Sequence, residues 1–147
     1  MGHGFAALGL VQPKSEVNVG SVLRAAQCYG AAMVAVTGKR FGRCCTDTMA
    51  AYRSTPFLRV DDILTAVPFD CVPVAVELTD GATSILDYTH PQRAFYIFGP
   101  EDSSIPKAVL ARCRDVIMVP TEYCMNLAAT ANVVLYDRLA KMQRRCA

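Results

Sequence analysis

The sequence predicts an α/β protein, a mostly parallel β-sheet flanked by helices, and three observations lead there. Short apolar runs ending at Gly, Pro or charged residues alternate with segments whose apolar positions recur at helical spacing. The runs Val72 to Leu78 and Ala94 to Phe98 are almost continuously apolar or β-branched, interrupted in the first by Pro73 and Glu77, as in strands covered on both faces. Finally, 147 residues at 52% hydrophobic and 19% charged content suffice for one substantial core, so residues 1–147 are read as a single domain.

Phe5 to Val11 reads as a buried strand running into a loop at Gln12, Pro13 and Lys14. A helix follows, with Asn18 as its N-cap, Val22, Leu23, Ala26 and Tyr29 on its inner face, and Gly30 as a left-handed C-cap. Met33 to Thr37 is a second strand, giving the strand–helix–strand unit that a right-handed parallel crossover accommodates. Beyond a basic, Gly-rich loop (Gly38, Lys39, Arg40, Gly42, Arg43), a short helix is expected near Thr48 to Arg53 and a strand near Phe57 to Val60. Asp61 is placed to cap a helix that Pro68 ends, and Pro106 to open one running to Cys113. Val116 to Val119 is the last strand. Asn126 to Arg145 is the last helix, with Leu127, Val134, Leu135, Arg138 and Leu139 along its partly apolar face.

The net charge of +2 is a weak electrostatic footprint that neither demands nor excludes a nucleic-acid partner. The cysteine count of 7 is odd, and no C-x-x-C pair or Cys/His cluster has zinc-finger spacing, which suits reduced thiols in a cytoplasmic protein and no metal. No secretory signal is evident at Met1 to Leu10, and no apolar run is long enough to cross a bilayer.

Ligands of open α/β sheets bind beyond the carboxyl ends of the strands, which directs attention to the loops there. Asn18-Val-Gly-Ser-Val-Leu-Arg24 puts an amide, a glycine and a guanidinium at a helix start, suited to an anion, although a cap and a solvated arginine explain the same residues. Gly99-Pro-Glu-Asp-Ser-Ser-Ile-Pro106 combines close backbone approach at Gly99 with a carboxylate at Glu101, or else serves the next helix's dipole. Pro120-Thr-Glu-Tyr-Cys-Met-Asn126 leads into the last helix with an amide in capping position.

In order and spacing these loops resemble the motifs of the SpoU (TrmH-like) branch of the SPOUT methyltransferases, across Phe5 to Arg138. Asn18, Gly20 and Arg24 match motif 1, Gly99 and Glu101 motif 2, and Val119-Pro120 with Cys124-Met125-Asn126 motif 3. The resemblance implies a C-terminal deep trefoil knot, S-adenosylmethionine as methyl donor, an RNA ribose 2′-hydroxyl as acceptor, and a homodimer in which motif 1 of one subunit completes the other's site. A chain without an appended RNA-binding domain is most similar to the minimal TrmL-like tRNA enzymes that act at the wobble nucleotide.

By position, the resemblance assigns Arg24 to activation of the hydroxyl, with Asn18, Glu101 and Asn126 positioning it and the substrate. It places Leu78, Gly99, Met118, Val119, Cys124, Met125 and Leu127 around the donor's adenosine. Cys124 stands where the family has Ser, Ser103-Ser104 where Gly is common, and the stretch from Pro120 to Cys124 is shorter than usual. Cys124 reads as a small packing residue rather than a nucleophile, because no base lies near it in sequence. Two basic clusters, Lys39, Arg40 and Arg43, and Lys141, Arg144 and Arg145, suit either RNA phosphates or plain solvation. A catalytically inactive relative that binds RNA or the donor is the alternative reading. A dehydrogenase or hydrolase is disfavoured by the lack of G-x-G-x-x-G, Walker and G-x-S-x-G motifs.

Overall fold

The structure, a computed structural model, describes residues 4–39 and 53–145. Its sheet has seven strands in the order β3-β2-β1-β6-β4-β7-β5, and every neighbouring pair is parallel. The strands are β1 (Phe5–Leu10), β2 (Val34–Val36), β3 (Phe57–Arg59), β4 (Val72–Val76), β5 (Thr83–Ser84), β6 (Arg93–Phe98) and β7 (Asp115–Met118). Helices α1 (Glu16–Tyr29), α2 (Lys107–Leu110) and α3 (Leu127–Arg145) and a 3-10 turn at Ile63–Ala66 flank them. From β1 the chain runs outward through β2 and β3, then crosses to β4 on the far side, so the sheet reverses its order beside β1 and β6. That reversal is where an open parallel sheet leaves a crevice.

Strand alternation divides the core into two layers. Tyr96 and Phe98 of β6, with Leu8, Leu10, Val34, Val36, Val74 and Val76, face the side on which α1 and α3 pack. Phe95 and Ile97, with Ala7, Ala35 and Ala75, face Ile63, Ile105 and the half-buried Val109 and Leu110 of α2. Gly9 allows this second layer to close, because a Cβ there would sit 2.5 Å from the Phe95 ring.

Helix α1 begins earlier than the sequence predicts. Ser15, not Asn18, is its N-cap, accepting from the Asn18 amide at 3.3 Å. A hydroxyl and then Glu16 satisfy the first turn, which leaves the Asn18 side chain free for other work. Gly30 ends the helix at φ 68° with its N–H directed to the carbonyls of Ala26 and Gln27.

Other departures have local causes. Asp62 rather than Asp61 caps the next element, which is one 3-10 turn and not a helix reaching Pro68. The helix after Pro106 stops at Leu110, and the Arg114 amide already bonds Pro73 O as the chain enters β7. The two-residue strand β5 is too polar and short to leave an apolar run. The expected helix at Thr48 to Arg53 lies almost wholly outside the described residues, as do Arg40 and Arg43.

Arg138, expected on an apolar face, is buried. It donates to Pro91 O at 2.6 Å, Gln92 O at 2.8 Å, Phe5 O at 3.2 Å and the Tyr96 hydroxyl at 3.2 Å, clamping α3 to the start of β1 and β6. The Tyr96 hydroxyl lies 2.5 Å from His90 Nδ1, and His90 Nε2 lies 2.8 Å from Asp137 Oδ2. A neutral imidazole satisfies every partner, with Nε2–H donating to the carboxylate and Nδ1 accepting from the tyrosine that Arg138 in turn serves. Burial pushes His90 below its usual value despite Asp137 and pushes Tyr96 up to about 12.

Candidate active site

The loops after β4, β6 and β7 enclose a cleft of about 380 Å³, within the range of small-molecule sites. Gly99 forms part of its wall: a Cβ there would lie 3.0 Å from both the Ile105 backbone nitrogen and its side chain. Across the cleft run Met118, Val119 and Thr121 after β7, then Cys124, Met125 and Leu127 at the start of α3. Leu78 after β4 and Glu101 complete the convergence. All the positions placed around the donor (Leu78, Gly99, Met118, Val119, Cys124, Met125 and Leu127) line this one cleft. Its wall mixes apolar side chains such as Leu78, Met118, Val119 and Leu127 with the carboxylates of Glu77, Glu101 and Asp102.

Three side chains far apart in sequence meet at its rim. Asn126 Nδ2 donates to Asn18 Oδ1 at 2.8 Å, and Asn18 Nδ2 donates to Glu101 Oε1 at 2.8 Å. Each amide is thereby oriented. Asn126 Oδ1 accepts from the amides of Ala128 at 2.8 Å and Ala129 at 3.3 Å, capping α3. Glu101 also accepts from the Lys14 amide at 2.8 Å and the Ser15 amide at 3.2 Å. Burial alone would raise the Glu101 carboxyl, but the hydrogen bonds from Asn18, Lys14 and Ser15 outweigh it and hold it below its usual value. At neutral pH this carboxylate is a fixed negative charge and not a proton reservoir.

Arg24 stands apart. Six residues beyond Asn18, it is displaced by about 9 Å along the helix and by about 240° around it. It is exposed, does not line the cleft, and has no hydrogen-bond or ion-pair partner among the described residues. The second basic cluster is divided as well. Lys141 is held by Asp137 at 2.8 Å and by the carbonyls of Ile85 and Tyr88, while Arg144 is exposed and Arg145 reaches His90 O at 3.4 Å.

Sequence reasoning passed over Glu77, which lines the cleft and accepts from the Ile105 amide at 2.7 Å. A carboxylate closing an otherwise apolar strand was the available signal. It also passed over Ser15, which, by taking the cap, frees Asn18. Among the described residues no group of three or more His, Cys, Asp or Glu side chains is placed to hold a metal ion.

A parallel α/β sheet whose strand-end loops form one cleft, with an amide–amide–carboxylate chain at its rim, defines an open α/β protein with a candidate small-molecule site at the sheet's switch point. The profile of the SpoU rRNA methylase family matches residues 6–136, and the chain belongs to that family.

Solved structures share the fold. The SpoU methyltransferase AviRb of Streptomyces viridochromogenes, in complex with AdoMet, superposes with a TM-score of 0.84 at 21% identity, covering 98% of this chain and 59% of that one. The present chain thus spans about six-tenths of AviRb's length. A protein solved in work on 2-OH methylation of C/U34 on tRNA gives a TM-score of 0.83 at 22% identity, covering 98% and 100% of the two chains. The TrmH/SpoU tRNA-modifying enzyme of A. aeolicus gives 0.83 at 12% identity, covering 96% and 77%. No curated protein matches the chain.

Proposed function

We propose that this protein transfers the methyl group of S-adenosylmethionine to a ribose 2′-hydroxyl of RNA, with tRNA as the substrate and the wobble nucleotide as the position modified. The observation that carries this reading is the Asn126–Asn18–Glu101 chain, which joins the three family motifs at the rim of the cleft. The likeness to a protein associated with methylation of C/U34 supports the choice of position.

In this reading Leu78, Met118, Val119 and Leu127 hold the adenine and Gly99 admits it, with Cys124 and Met125 closing the side toward α3. The bound donor supplies an activated methyl group with its own leaving group, so no metal is required. The methyl carbon would pass to the hydroxyl oxygen as the carbon–sulfur bond breaks with its electron pair left on sulfur, and the hydroxyl proton would pass to solvent. The protein contributes alignment, which in ideal systems is worth up to about 7 to 11 kcal/mol. Asn18, Glu101 and Asn126 position the acceptor. Arg24 stabilises charge developing on the oxygen, because a guanidinium with a pKa above about 12 is a poor proton acceptor.

Arg24 does not line the cleft of its own subunit, which supports a reading in which it completes the site of a second copy, so a homodimer belongs to the proposal. Exposed apolar residues on two helices that pack against each other, Val17 on α1 and Val133 and Tyr136 on α3, are ones that such a copy would cover. The C-terminal knot is supported by the strand order, in which β6 inserts between β1 and β4 while β7 passes outside β4. Of the two basic clusters, Lys39 and Arg144 are the members that are exposed and unpaired among the described residues, and they would meet RNA phosphates. A cytoplasmic setting suits the free Cys28, Cys71, Cys113 and Cys124, and no described helix is long and apolar enough to cross a membrane.

The test is transfer of labelled methyl from S-adenosylmethionine to bulk tRNA, with nuclease digestion and mass spectrometry to locate the product. A 2′-O-methylated wobble ribose is the expected result. Donor binding without transfer to any RNA would replace this reading with that of an inactive relative.

A further inference from the structure

Among the described residues, the cleft is lined by the carboxylates Glu77, Glu101 and Asp102 and by no lysine, arginine or histidine. Two of the carboxylates are engaged elsewhere. Glu101 is spent on Asn18 and two backbone amides, and Asp102 lies 3.8 Å from Lys14 Nζ. Glu77 differs. One oxygen, Oε2, accepts from the Ile105 amide at 2.7 Å, and no cation among the described residues pairs with the group.

That hydrogen bond also fixes where the charge sits. Glu77 directly follows β4 and precedes Leu78, and Ile105 is buried and packs where a Cβ on Gly99 would go. The carboxylate is therefore held between the β4 and β6 loops at the wall of the cleft, with no compensating cation among the described residues.

We infer that Glu77 is a specificity residue that makes the cleft prefer the charged methyl donor over the spent product. The inference rests on the donor-cleft reading above. S-adenosylmethionine carries a sulfonium, an ammonium and a carboxylate, a net charge of about +1 near neutral pH, and loss of the methyl group leaves a neutral thioether and no net charge. An uncompensated carboxylate in a partly water-excluded wall attracts the first more than the second, because the difference between them is one full positive charge. Turnover gains from this directly: transfer removes the charge that Glu77 favours, so the product is released more readily than the donor.

The experiment is calorimetric titration of S-adenosylmethionine, S-adenosylhomocysteine and sinefungin, whose amine replaces the sulfonium as a cation, into the wild-type protein and Glu77→Gln. The glutamine carbonyl can still accept from the Ile105 amide, so the wall is kept while the charge is removed. The expected result is about tenfold weaker binding of the donor and of sinefungin, with S-adenosylhomocysteine changed less than about twofold. Equal weakening of all three ligands would reduce Glu77 to a wall residue and overturn the inference, as would no change in any. Wild-type protein that bound none of them would overturn the donor-cleft reading itself and this inference with it.

Discussion

The Asn126 side-chain amide donates to the Asn18 carbonyl oxygen at 2.8 Å, so the first residue before the last helix holds a residue in the first turn of the first helix. The same Asn126 caps α3 through its Oδ1, and the two tasks use different atoms. They can be separated. Asn126→Asp keeps the cap's acceptor and loses the donor, so methyl transfer should fall by about 10²-fold through misalignment while thermal stability barely moves. Asn126→Ala loses both and should also cost about 1 kcal/mol of stability. Steady-state kinetics beside thermal melts check this, and an Asp variant with full activity would remove Asn126 from the site.

Arg24, exposed and on a different side of α1 from Asn18, gives a sharper test. Arg24→Ala should abolish transfer and leave fold and donor binding intact. Gly99→Val should block the donor, because its Cβ would start 3.0 Å from Ile105. If Arg24 serves the partner's site, refolding the two inactive variants together makes mixed dimers with one complete site, recovering about a quarter of wild-type activity. No recovery would mean that Arg24 works within its own subunit.

The fold was legible where physics is local. Val72 to Leu78 and Ala94 to Phe98 read as two-sided strands, and β4 and β6 lie inside the sheet with most of their residues buried. Gly30 ends α1 as its position implied. What stayed hidden depended on distant partners. Nothing local distinguishes Ser15 from Asn18 as a cap, since both residue types suit the role. Arg138 sits on a helix face otherwise facing the core, and only the meeting of Pro91, Gln92, Phe5 and Tyr96 explains a buried guanidinium there. The rim network was legible as three motifs and not as one chain of hydrogen bonds, because its links cross 83 and 108 residues.

Cys124 occupies the family's serine position at the edge of the cleft and is exposed. Among the described residues no histidine or cation lines the cleft, so no base is placed there to activate Cys124 as a nucleophile. Cys124→Ser should therefore leave transfer within about twofold of wild type, and an alkylating reagent should inhibit the wild type by bulk alone, with donor binding lost in parallel. A Ser variant inactive toward RNA but still binding the donor would point to a thiol-dependent step.

His90 is expected to lower folding stability at mildly acid pH. It is buried between Tyr96 on β6 and Asp137 on α3, with Arg138 and Lys141 on the same helix and the half-buried Tyr88 ring 5.1 Å away. Burial lowers its folded pKa, against the pull of Asp137, below the unfolded value of about 6.5. Below that value the unfolded chain takes up a proton that the folded chain resists. Stability is thus fully present above about pH 6.5 and declines as pH falls toward the depressed folded value. Protonating Nδ1 would also set its N–H against the Tyr96 hydroxyl, whose oxygen already receives Arg138. The expected outcome is a urea midpoint that falls between pH 6.5 and 5 in the wild type, beyond any carboxylate contribution, and falls less in His90→Gln, whose baseline is lower but whose amide does not titrate. Parallel pH dependence in the two proteins would show that the acid sensitivity resides elsewhere.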